Sequence, residues 1–154
     1  MSSTFVAATR SWRLLERCGF AARDRVVAHP WSSQSYFWSL PGDANAEFVK
    51  AFEARFNRKP SYLAADAYIA FMLVHEAIQK AKSTEVAAVR GALNGLKFDT
   101  IVGPVEMRAA DHQLVRPLVV VQAVKAAPGK GEIALRSVEP AARITLPPSP
   151  ECKM

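Results

Sequence analysis

Glu47-Phe48-Val49-Lys50-Ala51-Phe52, Arg55-Phe56-Asn57-Arg58-Lys59-Pro60 and Ala67-Tyr68-Ile69-Ala70 follow one another and lead into Glu76-Ala77-Ile78 and Val89-Arg90-Gly91-Ala92-Leu93. Phe98-Asp99-Thr100-Ile101-Val102-Gly103-Pro104-Val105 and then Asp111-His112-Gln113 come before the apolar run 118–124. Within this stretch Phe48, Phe52 and Phe56 recur at i, i+4 and i+8 with Val49 beside them, the stripe of a helix facing a core. Asp43 or Asn45 is placed to cap that helix, and Glu47 suits its positive end. Pro60 stops it, because the residue before a proline is driven out of the α region. A second helix is expected over residues 61–82. It is nearly apolar all round from Tyr62 to Val74, with Asp66 as the exception, so its first half is expected to be enclosed. A third helix begins at Thr84-Glu85-Val86, turns Val86, Val89, Leu93 and Leu96 inward, and ends at Asn94-Gly95.

Beyond Gly95 the period changes. Thr100-Ile101-Val102, Val105-Glu106-Met107-Arg108 and the run 118–124 read as strands punctuated by turns, with Gly103-Pro104 as one turn. Val119-Val120-Val121 shows no polar alternation, so both faces of that strand are expected to be covered. Before the deciding stretch, Trp12, Leu14, Leu15 and Cys18 have helical spacing with Gly19 as a stop, and residues 25–28 form a short β-branched run closed by His29-Pro30. The aromatic residues Trp31, Tyr36, Phe37 and Trp38 sit among serines in a segment, 30–42, that reads as an irregular loop. Trp31 and Tyr36 are candidates for ligand contact there, against core packing as the plainer role. Residues 126–154 carry Pro128, Pro140, Pro147, Pro148 and Pro150 and read as a proline-rich tail with one short strand at 132–138, after a folded body over 1–125.

A chain of 154 residues is one ordinary domain in size, long enough to bury a core and too short for two complete α/β lobes. Half of it is hydrophobic and 22% is charged, a globular balance. The net charge of +6 permits contact with anionic partners, but the basic residues are scattered. Arg10, Arg13 and Arg17 would share one helical face, read as solvated, and no nucleic-acid motif accompanies them, so no nucleic-acid partner is expected. The longest apolar stretch falls short of the roughly twenty residues that cross a bilayer, so no membrane insertion is expected. Residues 1–8 do not read as a signal peptide. Cys18 and Cys152 belong to no metal or redox pattern, and whether they pair is open.

The ordered set of residues from Asn45 to Val124 resembles the C-terminal part of type I periplasmic substrate-binding proteins, the receptors of branched-chain amino acid and amide ABC importers. The fold class implied is α/β: a partial type I periplasmic-binding-protein fold in which three main helices and several short strands belong to two lobes. The resemblance implies a C-terminal fragment whose parent captures a branched-chain amino acid, an amide or an aromatic acid, is periplasmic, and delivers its small-molecule ligand to a membrane permease. Thr9, Tyr62 and Leu63 fall at pocket-lining places by the same resemblance, and with Trp31 and Tyr36 they make up the candidate ligand-binding set. No acidic anchor stands at those places, so Tyr62 and Trp31 suit an apolar or aromatic part of a ligand better than an amino group. Segments near Pro60 and Asp111 are implied to cross between lobes. A ligand-sensing or protein-interaction domain of the cytoplasm, built on the same fold, is the alternative.

Catalysis is not expected. His75-Glu76 lacks the second histidine of a zinc-protease motif, because Gln79 stands in its place. Asp111-His112-Gln113 sets a histidine beside a carboxylate, but adjacent side chains seldom converge, and the triplet reads as a polar backbone support. No phosphate-cradling glycine loop and no nucleophile elbow occurs, and no cofactor or metal is expected.

Overall fold

The computed structural model describes residues 31–127 and 130–152; the helix expected over 11–18, the strand over 25–28, Cys18 and the candidate Thr9 lie outside the described residues. Strand β1 (Trp31–Gln34) is followed by helices α1 (Asp43–Phe56), α2 (Tyr62–Ala81) and α3 (Val86–Leu93). Then come β2 (Lys97–Thr100), β3 (Gly103–Met107), β4 (Leu114–Val115), β5 (Leu118–Ala127), β6 (Lys130–Glu139) and the single-turn helix α4 (Ala141–Ile144). The three main helices therefore form where the periodicity puts them.

Each helix boundary has a local cause. Asn57 takes a left-handed conformation (φ 50°) and returns its N–H to Glu53, which closes α1 three residues before Pro60. The Ser61 hydroxyl accepts the Ala64 N–H at 3.3 Å and opens α2. Gly95, at φ 66°, ends the turn after α3, and its N–H goes directly to the Met107 carbonyl at 2.9 Å. The chain thus passes from α3 into the β2–β3 hairpin without a free connecting loop.

Two antiparallel sheets result, in the orders β1-β5-β6 and β2-β3-β4. The main chain moves from the second sheet to the first between Val115 and Leu118. Pro117 stands in that crossing, where its missing N–H suits a break between two ladders. One core cluster joins both sheets: Val119 and Val121 of β5 meet Ile101, Val102 and Val105 of the hairpin, with Tyr36, Phe37, Leu40 and the α2 residues Ala65 and Ile69. A smaller cluster of Ala77, Ala92 and Leu96 fastens α2 to α3.

Several expectations change in the structure. Residues 31–34 form a strand rather than an irregular loop, because Trp31 to Gln34 pair with Gln122 to Val119 of β5. Asn45 does not cap α1. It is buried, and its amide donates to the carbonyls of Trp38 (3.0 Å) and Leu40 (2.7 Å), so it secures the loop before the helix. The phenylalanine stripe of α1 is core only at its start: Phe48 packs on the main cluster, while Phe56 is 50% exposed.

Helix α2 is enclosed on one face, not all round. Ala65, Ile69 and Ala77 are buried, whereas Leu63, Phe71 and Val74 lie exposed on the other side. Val86 at the start of α3 is also exposed. Along β5, Val119 and Val121 are buried and Val120 is half-buried, so one face is covered more fully than the other. The boundary expected at 125/126 falls inside the β5–β6 hairpin, which pairs from Leu118 with Glu139 to Ala127 with Lys130. The short strand expected at 132–138 is therefore ten residues long.

Candidate ligand-binding site

The end of β1 meets the second turn of α2 through one polar cluster. The Ser35 hydroxyl donates to Asp66 Oδ2 at 2.8 Å. Arg116, in the crossing between the sheets, donates from Nη2 to the Ser35 carbonyl (2.6 Å) and to Asp66 Oδ1 (2.8 Å). Asp66 thus receives a donor on each carboxylate oxygen, which lets a charge sit in the otherwise apolar half of α2. Ser35, Asp66 and Arg116 come from positions 31 and 50 residues apart in sequence. Pattern reading had no means to join them. The lone Asp66 within an apolar run was the available signal, since a charge there needs a partner.

Around this junction the expected ligand residues divide. Tyr62 and Leu63 are the first residues of α2, one turn before Asp66, and are 44% and 58% exposed. Trp31 opens β1 and is 56% exposed. Four residue steps along the strand carry the chain from Trp31 to Ser35, about 13 Å. Tyr36 is different in kind. At 1% exposure it lies in the core, its ring edge-on to Phe48 at 6.1 Å between centroids and its hydroxyl donating to Asn45 Oδ1 at 2.8 Å. Burial pushes its phenol above the ordinary tyrosine range. The structure therefore groups Tyr62 with Leu63, sets Trp31 at the far end of the adjoining strand, and turns Tyr36 inward.

The Asp111-His112-Gln113 triplet forms the turn between β3 and β4, within one sheet. The crossing between the two sheets lies five residues later, at Arg116-Pro117. Asp111 faces Arg108: Nε donates to Oδ1 at 2.8 Å and Nη2 to Oδ2, while the Gln113 N–H also reaches Oδ1 at 3.2 Å. The hydrogen bond from Arg108 is the first cause that holds the Asp111 carboxyl below its usual range. His112 adopts φ 53° at the tip of the turn. It borders an open recess of about 250 Å³ with Ala87, Arg90, Gly91 and Asn94, which contains none of the expected ligand residues.

Among the described residues no group of histidine, cysteine, aspartate and glutamate is placed to hold a metal ion. No described helix is long and apolar enough to cross a membrane. Aromatic and aliphatic faces stand exposed at the helix tip, beside a carboxylate paired with a guanidinium and a hydroxyl.

The sequence profile for "Periplasmic binding protein" matches residues 5–130. An ABC-type branched-chain amino acid transporter protein from Rhodopseudomonas palustris has a similar crystal structure, with a TM-score of 0.70 at 25% identity over 83% of this chain and 34% of that one. The leucine-, isoleucine-, valine-, threonine- and alanine-binding protein of Brucella ovis, in its closed conformation, gives 0.73 at 20% identity over 88% of this chain and 37% of that one. A solute-binding protein of an ABC transporter from R. palustris, solved with 3,4-dihydroxybenzoic acid, gives 0.65 at 21% identity over 76% and 32%. The chain spans about a third of the length of these structures.

Proposed function

This chain belongs to the periplasmic binding protein family, and from that premise we propose that it supplies part of the ligand-capturing body of an ABC importer's substrate-binding protein. In this reading the described strands and helices contribute to the lobes of that body, and the β5–β6 hairpin carries the ligand-binding domain expected over residues 1–125 past residue 125. The parent protein is periplasmic and hands its ligand to a membrane permease.

The ligand class is a small molecule with an apolar or aromatic body, an aromatic acid first among them. The observation that carries it is the exposure of Tyr62 and Leu63 at the tip of α2, on the helix whose second turn is joined to the end of β1 through Ser35 and Asp66. Large, half-open rings and aliphatic groups beside a fixed junction favour apolar contact area over capture of a free ammonium group. Trp31 extends the apolar surface along β1, and Thr9 adds a hydroxyl to the set. Tyr36 belongs to the support beneath it.

Thermal unfolding with leucine, acetamide or benzoate tests this reading, because a ligand that prefers the native state raises the melting temperature. Benzoate at ten times its dissociation constant is expected to stabilise by about 1.4 kcal/mol. The rise should be diminished in Tyr62→Ala and Leu63→Ala. A transition blind to all three compounds would overturn the assignment.

A further inference from the structure

We propose that Arg116 is a positioning residue: it pins the crossing between the two sheets to the second turn of α2 and so fixes where Tyr62 and Leu63 stand. The meaning of that position for ligand capture rests on the function proposed above, but the pin itself stands on geometry. A single guanidinium nitrogen, Nη2, serves the Ser35 carbonyl at 2.6 Å and Asp66 Oδ1 at 2.8 Å, and Ser35 closes the ring of contacts on Asp66 Oδ2 at 2.8 Å. Three chain segments meet there: the end of β1, the second turn of α2, and residues 116–117 between β4 and β5.

The crossing needs such a support. Pro117 has no N–H, so this residue cannot tie either ladder through its amide. The β4 strand before it is only two residues long. Arg116 is the side chain of the crossing that reaches both neighbours, and at 18% side-chain exposure it is shielded from much of the competing water. Charge-assisted hydrogen bonds of this kind are the stronger class, and one nitrogen shared between a carbonyl and a carboxylate ties the two segments to the same point. Any displacement of the crossing must therefore move α2 with it or break these bonds. Tyr62 and Leu63, one turn from Asp66, move with it.

Amide hydrogen exchange on the whole chain, without ligand, tests the pin directly. Three variants separate bonding from packing: Arg116→Met keeps much of the aliphatic stem and removes every donor, Arg116→Lys keeps charge and donors, and Ser35→Ala removes one contact. In Arg116→Met the amides of Ala65, Asp66 and Leu118 are expected to exchange about tenfold faster. Those of Val121 in the sheet and of Ala92 in α3 should keep their protection. Arg116→Lys should recover much of the loss. Equal exchange in wild type and Arg116→Met would overturn the proposal, as would acceleration spread evenly over the chain or an identical effect of Lys and Met. If Arg116→Met does not fold, Asp66→Asn, which removes the carboxylate charge that Arg116 meets, decides by the same local criterion. None of these results depends on a ligand, so a chain that ignores benzoate can still possess the pin, and a chain without the pin can still bind.

Discussion

The Tyr36 hydroxyl and the Asn45 side-chain oxygen lie 2.8 Å apart, both residues being almost fully buried. Asn45 turns its amide the other way, to the carbonyls of Trp38 and Leu40. One pair of side chains thereby holds the segment that carries β1 into α1. Tyr36→Phe leaves a buried acceptor short of its donor and should cost about 1–3 kcal/mol. Asn45→Ala removes three hydrogen bonds and leaves their partners wanting, so its cost should be larger. Urea unfolding midpoints measure both, with the slope unchanged if the native structure persists.

Tyr36 also gives the chain an alkaline limit. Its folded-state pKa is raised by burial, so the neutral phenol is favoured in the native protein. Its contribution is full below the unfolded value, about pH 10, and is lost as the pH rises above that point toward the folded value. The decline of melting temperature above pH 10 should be shallower in Tyr36→Phe than in wild type, measured from a lower starting stability.

The opposite sign holds at Asp111. Arg108 holds its carboxyl below the usual range, chiefly by hydrogen bonding, so the contribution is present above the unfolded pKa and lost as the pH falls through the folded one. Asp111→Asn should flatten part of the acid limb of a stability profile below about pH 4. The side-chain carboxyl resonance of Asp111, followed by NMR, should titrate below those of ordinary aspartates.

Two positions on α2, two residues apart, should respond very differently to truncation. Ile69 is 1% exposed and Phe71 is 78% exposed. Ile69→Ala should destabilise by about 2–5 kcal/mol through transfer and cavity terms. Phe71→Ala should change stability by less than about 0.5 kcal/mol. Thermal unfolding of the two variants side by side checks this.

Gly103 should resist substitution. It opens β3 at φ 93° and its carbonyl accepts the Thr100 hydroxyl at 2.9 Å. Space for a methyl group is present, so the strain of Gly103→Ala is in the backbone alone. The expected loss is about 1–3 kcal/mol, read as a lowered denaturation midpoint.

Local signals made the helices legible. Phe48, Phe52 and Phe56 repeat at helical spacing, Pro60 and Ser61 mark an end and a start, and Asn94-Gly95 marks another end. Each acts within a few residues. The family pattern over 45–124 was legible for the same reason, as an order of such signals. Long-range pairing was not. Residues 31–34 became a strand only because β5 lies beside them, some ninety positions away in sequence. The exposed side of α2 was equally hidden, since Leu63, Phe71 and Val74 have the same hydropathy whether or not a neighbour covers them. At the candidate site, Tyr62 and Leu63 were reached through resemblance, whereas the Ser35, Asp66 and Arg116 junction depends on three distant segments. Only the isolated charge of Asp66 hinted that something must meet it.

The most direct measurement is a two-dimensional NMR titration of this chain with benzoate, with leucine as the comparison. Benzoate should shift the amides of Tyr62 and Leu63 in a saturable way, with a smaller response at Trp31, and leave the recess beside Arg90 and His112 unchanged. Leucine should produce weaker shifts at the same places. Saturation at Arg90 and His112 instead, or no shift at the tip of α2 with either compound, would contradict the account.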